Sequence, residues 1–135
     1  MQHLKPMEEG ASAFKSTRGL RRILNAIGFS LAGLRAAIRH EASFRQELVV
    51  GIPLLVAVPW LAPGPLEGVL LAGSVLLVWV AELFNSALEA LADAVSTQHH
   101  PLIGRAKDIG SAAVMLCVVL AGLVWGVLLW PRLGL

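Results

Sequence analysis

The stretch VAELFNSALEALAD, residues 80–93, sets Glu82, Asn85, Glu89 and Asp93 into an otherwise apolar run. At about 100° per helical residue, Glu89 lies about 20° from Glu82 in azimuth and Asp93 about 20° the other way, with Asn85 and Ser86 flanking the line. All five share one helix face, and Glu82 and Glu89 are about 10 Å apart along the axis. A carboxylate inside a membrane span is costly unless paired or protonated, so Glu82, the deepest, is a functional candidate by default. A structural ion pair with an arginine is the competing reading.

Three more polar clusters are expected at the same level: HEASFRQE (40–47), STQHHPLIG (96–104) and GRAKDIGS (104–111). With the stripe they collect Glu41, Glu47, Glu82, Glu89, Asp93 and Asp108 beside Arg22, Arg45, Arg105 and Lys107. That mixture suits a polyanion chelated to a hard divalent ion, because Mg²⁺ favours one or two carboxylates plus phosphate oxygens. Phosphoryl transfer needs little more: cations that neutralise phosphate charge, and a base that receives the proton of an attacking hydroxyl. Neither GxxxxGK[ST] nor GxGxxG occurs, so a nucleotide needs an unconventional site. His99 and His100 lack spaced zinc partners and read first as a solvated loop.

The elements that position these residues follow from hydropathy. The 135 residues are 56% hydrophobic and 15% charged, with mean hydropathy +0.72, too apolar for a soluble domain of this size. The fold class is an all-α membrane protein with no separate soluble domain and no nucleic-acid partner. Apolar runs long enough to span fall at about 48–66, 69–91 and 109–130. Pro53, Pro59 and the PGP at 63–65 make the first the weakest. Of eleven Lys and Arg residues, eight precede the first span, which predicts a cytoplasmic N-terminus and an in, out, in, out path. Trp60 and Trp130 then mark the outer interface.

Residues 18–47 carry Leu20, Ile23, Leu24, Ile27, Leu31, Leu34 and Ile38 at helical spacing with arginines on the other side, the pattern of an amphipathic surface helix. A role limited to anchoring on anionic lipid is equally consistent with those arginines. Residues 1–17 read as a flexible tail preceding one domain, 18–135, and the polar, basic N-terminal region does not read as a signal peptide. Gly122 and Gly126 form a GxxxG, which suits close helix approach or simply faces lipid. The single cysteine, Cys117, reads as a packing residue.

GLRAAIRHEASFRQE (33–47), VAELFNSALEALAD (80–93) and GRAKDIGSAAV (104–114), in this order and spacing, resemble the small prokaryotic diacylglycerol kinases over about residues 18–132. The resemblance implies ATP-dependent phosphorylation of 1,2-diacylglycerol to phosphatidic acid in the bacterial inner membrane, by a homotrimer with shared sites. By motif it implies Glu82 as general base, Glu41 and Glu89 as Mg²⁺ ligands that also face ATP, Lys107 and Asp108 on ATP, and Asn85 supporting the catalytic centre. Arg22, Phe29, His99 and His100 belong to its nucleotide region, and Arg22, Ser30, Arg35, Arg45, Glu47 and Ser111 to its substrate-side or structural shell. Asn25, His40 and His99 depart from residues common in the family. A branch of the family phosphorylates undecaprenol, but FRQE resembles the diacylglycerol-specific branch. Outside this class, a non-enzymatic membrane subunit or proton-conducting bundle could also bury carboxylates, though neither needs GRAKD beside HEASFRQE.

Overall fold

The computed structural model describes the backbone of residues 8–134 and the side chains of residues 17–134. Among the described residues the regular structure is helical: α1 (Glu8–His40), α2 (Ala42–Leu61), α3 (Pro65–Val95), α4 (Pro101–Leu129) and a final 3-10 turn, Trp130–Leu133. α2, α3 and α4 are each long and apolar enough to cross a membrane. The chain divides into two compact units, one ending at Arg39 and the other beginning at His40.

In the first unit, α1 starts at Glu8, so helical backbone covers residues 8–17 of the expected tail; residues 1–7 lie outside the described residues. Its apolar stripe, Leu20 to Ile38, is exposed, and Phe29 is exposed too. Nine residues separate Phe29 from Leu20, which puts the ring about 180° from the stripe, on the arginine side.

The helix expected over 18–47 is interrupted. Glu41 is extended (φ −109°, ψ 108°), and α2 begins at Ala42. HEASFRQE therefore straddles a junction, and FRQE opens the first spanning helix. A single extended residue with no glycine or proline leaves no mark on the apolar periodicity, which explains the longer sequence-based span.

In the second unit α2 runs through Pro53 and Pro59 and stops before Pro63, giving 20 residues, or about 30 Å, one hydrocarbon thickness. α3 has 31 residues, begins at Pro65 in the first-turn position that needs no N–H donor, and is about 46 Å long. About ten of its residues exceed the core thickness. α4 opens on Pro101, eight residues before the expected start of the third span. The apolar pattern marks only the parts of these helices that lipid can cover, whereas the helices continue beyond it.

α3 packs against both α2 and α4. Its buried residues are Leu71, Ser74, Val75, Val78, Glu82 and Ser86, while α2 buries Phe44, Gly51 and Val58. Polar side chains join the three helices at three levels. Trp79 Nε1 donates to the Glu47 carbonyl at 3.1 Å. Trp125 Nε1 donates to the Leu71 carbonyl at 3.2 Å and to Ser74 Oγ at 3.1 Å. Arg132 Nη1 donates to the Trp60 carbonyl at 3.0 Å, covering a C-terminal carbonyl of α2.

The close approaches occur at glycines other than the GxxxG pair. A Cβ on Gly51 would meet the Trp79 ring at 2.7 Å, and one on Gly110 would strike Asn85 Oδ1. Gly122 and Gly126 face open space within the chain.

Trp125→Phe keeps an aromatic ring but removes the donor between α4 and α3. Interhelical hydrogen bonds in membranes are worth about 0.6 kcal/mol on average and up to about 1.7. A loss near 1 kcal/mol is expected in reversible unfolding from detergent micelles, and unchanged stability would remove the clamp role.

Candidate functional site

The carboxylate face of α3 is graded by burial. Glu82 is 4% exposed, Asn85 and Glu89 are half-buried, and the Asp93 side chain is 58% exposed. Helix periodicity gives the shared face, and packing of α3 against α2 and α4 gives the gradient.

Asn85 reaches along this face. Its Nδ2 donates to Glu89 Oε1 at 3.4 Å, a long and weak bond that still orients the carboxylate. Asn85 Oδ1 is buried without a hydrogen-bond partner, and so is Ser86 Oγ one turn beyond Glu82. Buried polar atoms are normally satisfied, so two orphans beside a buried carboxylate mark a place where a polar ligand or water completes the bonding. Ser86 was visible in the sequence as a member of the stripe, but its hydroxyl among carboxylates carried no motif of its own. The absent Cβ of Gly110 lets α4 approach Asn85.

From α2, Glu47 is half-buried. Glu47 and Trp79 also line an apolar cavity of about 280 Å³ with Gly51, Val78, Gly122 and Trp125. Glu41, at the junction, makes no side-chain cap to α2, although its carbonyl accepts the Arg45 N–H at 3.2 Å. Its half-buried carboxylate is thus not committed to capping the helix it precedes.

At the end of α3, Lys107 Nζ pairs with Asp93 Oδ1 at 2.5 Å, linking α4 to α3. A polar cavity of about 310 Å³ adjoins this pair, lined by Asp93, Gln98, His99, His100, Gly104 and Lys107 among others. His100 has a definite local role: its Nδ1 accepts the Leu102 N–H at 3.2 Å, capping α4 ahead of Pro101. His99, Asp108, Ser111 and Arg45 are exposed.

Arg22, Phe29, Ser30 and Arg35 lie on α1 and are all exposed. Ser30 Oγ donates to the Ala26 carbonyl at 2.9 Å, bonding back onto its own helix. Among the described residues no three His, Cys, Asp or Glu side chains form a metal-holding group. Glu41, uncommitted as a cap, and Glu89, beside Asn85, are half-buried carboxylates of the donor type that a hard ion takes together with phosphate and water.

The family model for prokaryotic diacylglycerol kinase matches residues 28–129. The chain belongs to the prokaryotic diacylglycerol kinase family. A diacylglycerol kinase of Escherichia coli (strain K12) is 45% identical over 119 residues, 88% of this chain and 98% of that protein. A diacylglycerol kinase of Pseudomonas aeruginosa is 43% identical over 87% of this chain and 96% of its own length. One from Haemophilus influenzae is 40% identical over 84% of this chain and 97% of its own. The matched residues include the whole α3 stripe, Glu41, Glu47 and the Lys107–Asp93 pair, so the second unit falls almost entirely within the family's common frame.

Because the Lys107–Asp93 pair is partly exposed on both sides, it contributes little to folding. Asp93→Asn is expected to change unfolding stability by less than about 1 kcal/mol. A larger loss in a thermal or denaturant melt would make the pair a structural link rather than a feature of the site.

Proposed function

We propose that this protein transfers the γ-phosphoryl group of ATP to the primary hydroxyl of 1,2-diacylglycerol, giving phosphatidic acid and ADP, at the cytoplasmic face of a bacterial inner membrane. The observation that carries this reading is Glu82, a 4% exposed carboxylate on a spanning helix with Asn85, Glu89 and Asp93 rising from it toward exposure. Family membership supplies the reaction class, and the names of the relatives favour diacylglycerol over undecaprenol.

In this reading the lipid hydroxyl oxygen attacks the γ-phosphorus, the bond from that phosphorus to the bridging oxygen breaks, and ADP leaves. The proton of the attacking hydroxyl passes to the Glu82 carboxylate. Glu47 serves the lipid side, since it lines the apolar cavity that suits a hydrocarbon chain. Asn85 steadies Glu89, and Lys107, released from Asp93, meets the phosphates with Asp108 nearby in sequence. Mg²⁺, held by Glu41 and Glu89, would neutralise charge on the transferred group. His99, His100, Arg22 and Phe29 are assigned to the nucleotide side, and Ser30, Arg35, Arg45 and Ser111 to the lipid-side shell.

The exposed apolar stripe of α1 opposite its arginines supports a place on the cytoplasmic membrane surface. α4 leaves apolar surface available to a homotrimer, because none of its residues is buried within the chain. Such a face is covered by lipid or by neighbouring copies.

Purified protein with labelled ATP, Mg²⁺ and diacylglycerol in mixed micelles should label the lipid, whereas undecaprenol should be a poor acceptor. Glu82→Gln should abolish transfer in protein that still assembles in detergent, and full activity in that variant would remove the base assignment. Glu41→Gln and Glu89→Gln should raise the Mg²⁺ requirement; an unchanged Mg²⁺ titration counts against ligation. Gly110→Ala, which drives a methyl into Asn85 Oδ1, should lower turnover about ten-fold, the size expected when a supporting hydrogen bond is misplaced. Wild-type turnover in that variant would show that Asn85 orientation is irrelevant.

A further inference from the structure

Trp79 was not among the residues expected at the site, yet three observations converge on it. Its Nε1 donates to the Glu47 carbonyl at 3.1 Å. Its ring lies so close over Gly51 that a Cβ there would meet Cζ2, Nε1 and Cε2 at 2.7, 2.8 and 2.9 Å. It also lines the same 280 Å³ cavity as Glu47, Gly51 and Val78.

Gly51 follows Glu47 by four residues, so in helix geometry the Glu47 carbonyl is the acceptor for the Gly51 N–H. A carbonyl has a second lone pair, and the indole takes it. The contact is therefore not required to satisfy Glu47. Instead it satisfies the tryptophan donor, which a half-buried indole needs, and fixes the first turns of α2 against α3. Trp79 precedes Glu82 by three residues, which places the two about 60° apart in azimuth, one turn from each other. The brace thus joins the α2 turn that carries Glu47 to the α3 turn that leads to Glu82.

We propose that Trp79 is a positioning residue: through its N–H bond to the Glu47 carbonyl, with the ring admitted by Gly51, it holds the Glu47 carboxylate opposite Glu82 at the edge of the apolar cavity. There the pair receives the hydroxyl of a lipid whose chain lies along Val50, Leu54, Val75 and Trp125. The inference rests on the lipid-kinase reading above and adds the device that sets hydroxyl placement. It acts on the lipid side of the reaction and leaves the nucleotide side untouched.

Full-length variants in mixed micelles test this through separate titrations of diacylglycerol and ATP. Trp79→Phe retains a ring against Gly51 and deletes only the donor. Its kcat/KM for diacylglycerol should fall about five-fold, as for one neutral hydrogen bond, with KM for ATP, helix content and assembly unchanged. Gly51→Ala should produce the same lipid-side loss by displacing the ring. In a Trp79→Leu background, where the ring is gone, Gly51→Ala should add no further loss. Lipid kinetics within two-fold of wild type for Trp79→Phe would overturn the proposal. So would parallel losses toward ATP and lipid, or independent effects of Gly51→Ala and Trp79→Leu. A wild-type protein that labels no lipid removes the kinase reading and this inference with it, whereas an active wild type with an unaffected Trp79→Phe removes this inference alone.

Discussion

A carboxylate held 4% exposed on a membrane-spanning helix constrains everything around it. Glu82 is tolerable at that depth only with polar company and a path to water. α3 offers both: it is about ten residues longer than the membrane core is thick, and toward its C-terminal end it carries Asn85, Glu89 and Asp93 on the same face as Glu82. A shorter helix would leave Glu82 isolated, and a helix with its acids on several faces would put charge into lipid. The spacing of 3, 4 and 4 residues is the one that turns four polar side chains into a single ladder.

The neighbouring helices are fitted to this ladder by two glycines on opposite sides of α3. Gly51 of α2 admits the Trp79 ring one turn before Glu82, and Gly110 of α4 admits Asn85 one turn after it. At each place a missing methyl group converts helix packing into a polar contact. At Gly122 and Gly126, whose spacing suggests the close approach, an added Cβ would meet no atom within 4 Å among the described residues. Spacing specifies which glycines share a face, but only the rotation of α4 decides what that face meets.

Much of the architecture was readable from residues alone because lipid imposes few choices. The spans followed from run length, and the shared face of Glu82, Glu89 and Asp93 from the helical repeat. What stayed hidden was set by a single backbone residue or by packing between helices. The break at Glu41 has no glycine or proline to announce it, and it moves FRQE from the surface helix into α2. His100 appeared as one of two loop histidines, whereas its ring caps α4, a role that depends on the turn preceding Pro101. Trp79 had the appearance of an ordinary apolar residue because nothing in its neighbours along the chain reveals that Glu47 lies across from it. The orphaned Asn85 Oδ1 and Ser86 Oγ likewise become informative only once burial is known.

The bracing of α3 is uneven, and the unevenness suits the proposed chemistry. Indole donors tie α3 to α4 at Leu71 and Ser74 and to α2 at Trp79, so the segment leading to Glu82 is gripped from both sides. Beyond Asn85 the cross-helix polar link is the exposed Lys107–Asp93 pair, which water screens and a polyphosphate can replace. A base must meet its hydroxyl within a few tenths of an ångström, which favours the rigid segment. Anion binding needs cations that can leave one partner for another, which favours the wet end. On this argument the order along α3, indole braces, then buried Glu82, then the exchangeable ion pair, follows from what each reactant requires: a fixed address for the lipid hydroxyl and an open, renegotiable one for the phosphates.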